Sequence, residues 1–119
     1  PMNQMKGKLI EGGVDVSGTK IRLPAASGND VGREVIVGIR PEHVTLEAGE
    51  ATSVLPIDLD LVEPLGSEAL LHAQHDRERL VFKTDTNGSV AHLSGIRQVH
   101  LPMGLVKIFD AATGQAVKL

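Results

Sequence analysis

The chain has 119 residues, 12 Lys and Arg against 15 Asp and Glu, no cysteine, and two aromatic residues, Phe82 and Phe109. That length allows one domain with a modest core of Val, Leu, Ile and Ala, and the missing cysteines exclude a disulfide framework, a thiol nucleophile and a thiolate metal site. A formal charge of −3 with no Tyr or Trp argues against a nucleic-acid groove, which needs cations and stacking rings, and no apolar run reaches the roughly 18 residues of a membrane span.

The chain opens on Pro1-Met2-Asn3 with no initiator Met and no signal peptide. Such a start fits removal of a Met or a piece of something longer. Lys6 to Val16 reads as a first strand with a break or bulge at Gly12-Gly13. Ser17-Gly18 is a turn. Thr19 to Leu23 alternates, with Ile21 and Leu23 on one face. Pro24 to Gly32, rich in Ala, Ser, Gly and Asn, is a loop.

Glu34 to Ile39 is the central strand, and its apolar run Val35 to Ile39 suits cover on both faces. Pro41 stops it, because proline has no N–H and fixes φ. It also holds Arg40 extended. Proline followed by Glu42 fits the first turn of a short helix. The strand is therefore expected to present Arg40, Glu42 and His43 at a sheet edge.

Glu47 to Thr52 is a second loop. Ser53 to Val62 carries the cleanest strand pattern, with Leu55, Ile57, Leu59 and Leu61 on one face and Pro56, Asp58 and Asp60 on the other. Pro56 marks an edge or a strand start. Pro64 to Ser67 is a turn, Glu68 to Ala73 a strand, Gln74 to Arg79 a charged hairpin tip, and Leu80 to Lys83 the return. Asn87-Gly88 is a hairpin-type turn. Val90 to Gly95 reads as ambiguous, with a short helix one option. Gln98 to Leu101 and Leu105 to Phe109 are strands around Pro102-Met103-Gly104. Asp110 to Gly114 is a turn before a last strand, Gln115 to Leu119. About eight short strands with turns every 8–12 residues or so predict an all-β barrel or sandwich forming one domain over 1–119.

The chemistry-bearing patterns are thin. Gly28-Asn-Asp-Val-Gly32-Arg33 lacks the lysine and hydroxyl of a phosphate loop. Leu93-Ser94-Gly95-Ile96-Arg97-Gln98 superficially matches the Leu-Ser-Gly-Gly-Gln run of ABC ATPases but lacks its second glycine, and reads as coincidence. His72 and His75 fall on opposite faces of a strand, and His43, His92 and His100 have no ligand-spaced neighbour, so structural roles fit them better than a metal. Asp58 and Asp60 complete the alternation of a half-exposed strand. Asn87-Gly88-Ser89 fits a turn better than a glycosylation site. No catalytic constellation emerges, so binding, dimerisation or regulation is expected rather than catalysis.

Gly38-Ile39-Arg40-Pro41-Glu42-His43 resembles the signature of the C-terminal domain of ATP-binding subunits of sugar-type ABC importers, the maltose-importer class. Val62-Glu63-Pro64-Leu65-Gly66-Ser67-Glu68 is similar to that family's second segment. Phe109-Asp110 with Thr113-Gly114 resembles its closing turn, and Pro1-Met2-Asn3 with Gly7-Lys8-Leu9 the junction after the ATPase domain. The order and spacing of these matches cover nearly the whole chain.

The resemblance implies an OB-fold-like β-barrel of the TOBE type, shared with molybdate-binding (MOP) modules. It implies a regulatory and dimerisation domain on the cytoplasmic side, peripheral at the inner face of the membrane. Its partners would be an equivalent domain in a homodimer, the ATPase domain, the membrane permease subunits and, in some members, a regulatory protein. ATP and magnesium would belong to the ATPase domain, which this chain lacks; no cofactor, metal, nucleic acid or membrane insertion is expected here. A second expectation is a stand-alone oxyanion module. Arg40 and Glu42 are expected to order the turn, with Arg40 bonding Glu42, Glu63 or Glu68. Gly38, Gly66 and Gly114 are expected to serve backbone geometry.

Overall fold

The computed structural model describes residues 1–23 and 30–118. Among the described residues there are ten strands: β1 Asn3–Ile10, β2 Gly13–Val16, β3 Thr19–Arg22, β4 Glu34–Ile39, β5 Thr52–Pro56, β6 Asp58–Pro64, β7 Glu68–His75, β8 Glu78–Asp85, β9 Gln98–Pro102 and β10 Lys107–Asp110. They form a five-stranded sheet in the order β10-β4-β1-β2-β3, a pair β5-β9, and a three-stranded sheet β6-β7-β8. Every pairing is antiparallel. Their inner faces enclose one core, in which Phe82 is the largest side chain, among Met5, Leu9, Ile21, Ile39, Leu55, Leu71 and Leu101. The fold is of the all-β class that the strand pattern predicts, with ten strands among the described residues rather than about eight, and it is consistent with the OB-fold-like barrel that the resemblance implies.

Several boundaries differ from the sequence expectation. The hairpin tip expected over Gln74 to Arg79 narrows to Asp76-Arg77, because β7 runs on to His75 and β8 starts at Glu78. Lys6 to Val16 is a hairpin, not one strand. Gly12 at φ 76° turns the chain, and β2 folds back so that Leu9 faces Val14. Gly13 then packs where a Cβ would lie 2.3 Å from the Ile21 carbonyl oxygen.

Ser53 to Val62 is cut at Ile57. β5 pairs with β9, while β6 pairs with β7 through a register shift between Leu59 and Leu61. The alternation fails there: Leu55 and Ile57 are buried, but Leu61 is 57% exposed. A bulge adds one residue to the strand, and every later side chain switches face.

The last expected strand is reduced to a bridge between Phe109 and Ala116, and Leu119 lies outside the described residues. Asn87-Gly88 is a tight turn with φ 52° and 85°, but it leads into a 3-10 turn at Ala91–Leu93 rather than back into a paired strand.

Polar side chains stitch the three sheets together. Asn3 acts as a one-residue strand: its amide donates to the Val81 carbonyl at 2.8 Å and accepts from the Val81 N–H at 2.8 Å. This joins β1 to the free edge of β8, which would otherwise be open to pairing. His75 ends β7 with its ring 2.7 Å from the Pro56 carbonyl and 3.1 Å from the Val16 carbonyl. Either neutral tautomer donates to one of these acceptors, and the doubly protonated ring to both. The buried Ser53 hydroxyl accepts from the Arg22 N–H at 2.8 Å, and the Arg22 guanidinium donates to the Thr52 carbonyl at 2.7 Å, fastening β3 to β5.

Candidate functional site

The segment after β4 folds as its residue types dictate. Arg40 is extended, at φ −72° and ψ 147°, and Pro41–His43 form a 3-10 turn with proline in its first position. The His43 N–H closes it by donating to the Arg40 carbonyl at 3.0 Å. β4 lies between β1 and β10. The turn therefore sits at a strand end inside a sheet, not at the expected sheet edge. Chain continuity then carries Val44 into the core, and Thr45 exchanges backbone hydrogen bonds with His100 at 2.9 and 2.8 Å.

Gly38 belongs to the tight packing beneath this turn. A Cβ there would lie 2.3 Å from the Met2 sulfur and 3.1 Å from Phe109. Glycine thus lets Met2 and the half-buried Phe109 lie across the sheet.

The 3-10 turn leans toward the end of β8 and borders a groove of about 660 Å³. Its walls come from Glu42, the Val44–Glu47 segment, Glu68 at the start of β7, Lys83–Asp85 at the end of β8, Asn87, His92 and Ile96. Val44, Leu46 and Ile96 supply the apolar surface. Glu68 lies directly across the ladder from Asp85, a like-charge pairing that costs stability. Lys83 partly offsets it, reaching Glu68 at 3.3 Å. The Glu42 carboxyl is held below its ordinary value of 4.5, chiefly by its own backbone N–H and then by the charges of His43, Arg40 and Lys83. Four carboxylates and one ammonium therefore line the groove. Such a surface repels oxyanions, so the molybdate-type reading is not favoured here.

The expected bond from Arg40 to a carboxylate is not formed among the described residues. Glu63 is engaged by His72 at 2.9 Å, and Glu68 by Lys83. Arg40 is exposed and acts on Glu42 only as a nearby charge. The backbone bond from His43 and the fixed φ of Pro41 order this turn without it.

The other expected residues lie apart from the groove or hold turns. Gly66 and Gly114 adopt φ 93° and 75°, where only glycine is unstrained. Asp110 is a turn-maker. Its carboxylate accepts from the Ala112 and Thr113 N–H groups at 2.8 and 2.9 Å and from Arg33 at 3.0 and 3.1 Å. The Thr113 amide first, then Arg33 and the Ala112 amide, lower its pKa below 3.8. Arg33 also pairs with Asp30, so it serves structure. The first part of the Gly28–Arg33 stretch lies outside the described residues. Leu93 is fully buried in a 3-10 turn, which fits the coincidence reading of Leu93–Gln98. No group of three or more potential metal ligands is found among the described residues, and no helix there is long and apolar enough to cross a membrane.

Sequence reasoning named Asn3 only within the Pro1-Met2-Asn3 junction, with no contact assigned to it, and did not single out Ser53, Lys83 or Asp85. Lys83 and Asp85 matter because β8 brings them opposite Glu68, a pairing that no local pattern encodes. His75 was legible only as inward-facing against outward His72, as the alternating burial of β7 has it.

Residues 1–44 match the MalK OB fold domain, and residues 37–97, just over half the chain, match the TOBE domain. The sn-glycerol-3-phosphate import ATP-binding protein UgpC of Salmonella paratyphi A is 32% identical over 117 residues, covering 92% of this chain and 32% of that protein. UgpC of Escherichia coli O1:K1 / APEC is 34% identical over 122 residues, with the same coverage. The chain spans about a third of the length of the curated relatives it matches. These matches fall on a non-catalytic OB/TOBE unit. The chain belongs to the TOBE domain family, with a MalK-type OB fold segment at its N-terminal end.

Proposed function

We propose that this chain is the regulatory and dimerisation domain of the ATP-binding subunit of a bacterial ABC importer for sugars or related small solutes. The observation that carries this reading is the succession of an OB fold segment and a TOBE segment within a chain aligned over 92% of its length to import ATP-binding proteins. In this reading the domain performs no hydrolysis. ATP and magnesium are held by an ATPase domain of the same subunit, and the membrane permease subunits receive the resulting motion. The subunit sits on the cytoplasmic side, peripheral at the inner face of the membrane.

The physical role comes from the fold. A barrel whose sheets are cross-linked by Asn3, His75 and Ser53 is a stiff body. Stiff bodies that stay in contact keep the units attached to them at high effective concentration while those units open and close. A regulatory protein that docks here changes that concentration. The relatives' names point to glycerol 3-phosphate import, and solute choice in this reading rests with other subunits.

Reading the coding sequence upstream of the Pro1 codon tests the proposal. An in-frame Gly-x-x-x-x-Gly-Lys-Ser/Thr followed by Leu-Ser-Gly-Gly-Gln is the expected result. A start codon directly before Pro1 would overturn it.

A further inference from the structure

Asn87 lines the groove together with Glu42, Glu47, Glu68 and Asp85. Among the asparagines of the chain, Asn3, Asn29 and Asn87, only Asn87 is followed by glycine. Asn87 and Gly88 are both exposed. Neither the Asn87 side-chain amide nor the Gly88 N–H has a hydrogen-bond partner among the described residues. A Cβ on Gly88 would meet nothing within 4 Å, so no neighbour shields the peptide nitrogen between the two residues. With φ 52° and 85° the pair makes a tight turn, closed by a single bond from the Ser89 N–H to the Thr86 carbonyl at 3.1 Å. Breaking that bond frees the pair locally, while Thr86 stays anchored by its own N–H to the Ser67 carbonyl at 2.9 Å. Asn3 is the contrast within the same molecule. Its amide is tied to both backbone groups of Val81, and the Cβ of Gln4 crowds the nitrogen that follows it.

We propose that Asn87 is a self-modification site, at which the Gly88 backbone nitrogen drives conversion of the side-chain amide to a carboxylate, so that the groove gains a further negative charge. The Gly88 nitrogen loses its proton to solvent and attacks the Asn87 Cγ. A C–N bond forms and closes a cyclic imide. The bond from Cγ to Nδ2 breaks, and the amide nitrogen takes up a proton and leaves as ammonia. Water then opens the ring. Cleavage of the new bond at Cγ gives aspartate on the original backbone; cleavage at the Asn87 main-chain carbonyl gives isoaspartate, with the chain running through Cβ and Cγ. The sum is one amide and one water in, one carboxylate and ammonium out, with no oxidant or reductant. Aspartate tolerates a positive φ as asparagine does, so that product keeps the turn. Isoaspartate lengthens the backbone between Thr86 and Ser89 by a methylene and breaks the geometry of the closing bond. Both products add a charge beside Asp85 and Glu68, and the groove becomes more repulsive to anions and more attractive to cations as the chain ages.

The test is incubation of the folded chain in mildly alkaline buffer, followed by peptide mapping. Mass spectrometry reads amide loss at each asparagine, chromatography separates aspartyl from isoaspartyl peptides, and a thermal melt shows that the chain stays folded throughout. Conversion is expected at Asn87 as a mixture of the two products. It should run more than about tenfold faster than at Asn3, a gap for which the two hydrogen bonds holding Asn3 are sufficient. Asn87→Asp supplies the reference for the aspartyl product, and wild-type chain should acquire its ion-exchange mobility on incubation. Asn87→Gln should keep its starting mobility, because the longer side chain closes a larger and less favourable ring. Wild-type chain whose Asn87 keeps its amide as long as Asn3 does overturns the proposal. Aspartate formed without isoaspartate also overturns it, since direct hydrolysis and not attack by Gly88 would then be at work. The wild-type map decides the matter even where the Gln variant fails to fold.

Discussion

The seams between the sheets and the groove beside the Pro41 turn use polar groups in opposite ways. At the seams, Asn3, His75 and Ser53 are buried and aimed at backbone groups of another strand. Each converts a potential break between sheets into a satisfied contact. At the groove, Glu42, Glu47 and Asp85, and beside it Arg40, are exposed and hold no ion pair among the described residues. The motif-bearing end is thus the loosely committed one, and inconspicuous residues elsewhere carry the architecture. Stability should depend on the seams and partner recognition on the groove.

The strongest challenge to that division is His75→Ala. It empties a buried ring position and removes the ring N–H donated to the Pro56 or the Val16 carbonyl. Cavity and lost hydrogen bond together predict a loss of about 2–4 kcal/mol in urea unfolding. A loss near zero would mean the sheets hold together by apolar packing alone. Asn3→Ala is the next test. It strips both backbone groups of Val81 of their partner, and about 1–2 kcal/mol is expected because those groups are only part-buried. Hydrogen exchange at the Val81 amide should accelerate by more than that at Leu71, which is paired inside the sheet. Equal changes at both sites would show that Asn3 supports the whole fold and not one edge.

How much of this was legible in the sequence depends on how local each cause is. The Pro41 turn was readable, since proline and the following glutamate act on their own backbone. The Ser17-Gly18 hairpin and the Asp110 turn were readable for the same reason, both being closed within a few residues. The β1–β2 hairpin was not, because Glu11-Gly12-Gly13 fits a bulge and a turn equally well. The cut at Ile57 was hidden by a clean alternation; only the pairing of Leu55 with Val99 and of Val62 with Leu71 reveals a change of sheet. The groove was the least legible part. Glu68 stood out in its motif, but its neighbours Lys83 and Asp85 reach it through the β7–β8 ladder. The Asn3 contact gave no signal, since its partner lies 78 residues away.

Acid sharpens the comparison, because a seam-like contact also exists at the surface. Asp110 has its folded pKa lowered below 3.8 by the Thr113 amide, Arg33 and the Ala112 amide. A lowered folded value means the carboxylate's stabilisation is fully present above about pH 3.8 and is lost as pH falls through the folded value. The stability gap between wild type and Asp110→Asn should therefore be flat at neutral pH and close in acid. Because its ionic partner Arg33 is exposed to solvent, the gap should be smaller than the loss caused by Asn3→Ala. Urea midpoints measured for both proteins along a pH series check this. A gap that widens on acidification would put the Asp110–Arg33 contact outside the set that holds the fold.

Arg40→Ala has the smallest expected effect on folding and bears most directly on the division. The Pro41 turn is closed by the His43 N–H and the Arg40 carbonyl, both of which survive the substitution. Arg40 keeps an extended backbone because Pro41 comes next, whatever its side chain. Removing an exposed guanidinium with no fixed partner should change stability by less than about 0.5 kcal/mol. A thermal or urea melt showing a loss well above that would mean Arg40 orders the turn after all, and the groove would join the seams as a structural element. A neutral result leaves Arg40 beside Glu42 as a charge that folding does not require, free to act on whatever docks at this end of the barrel.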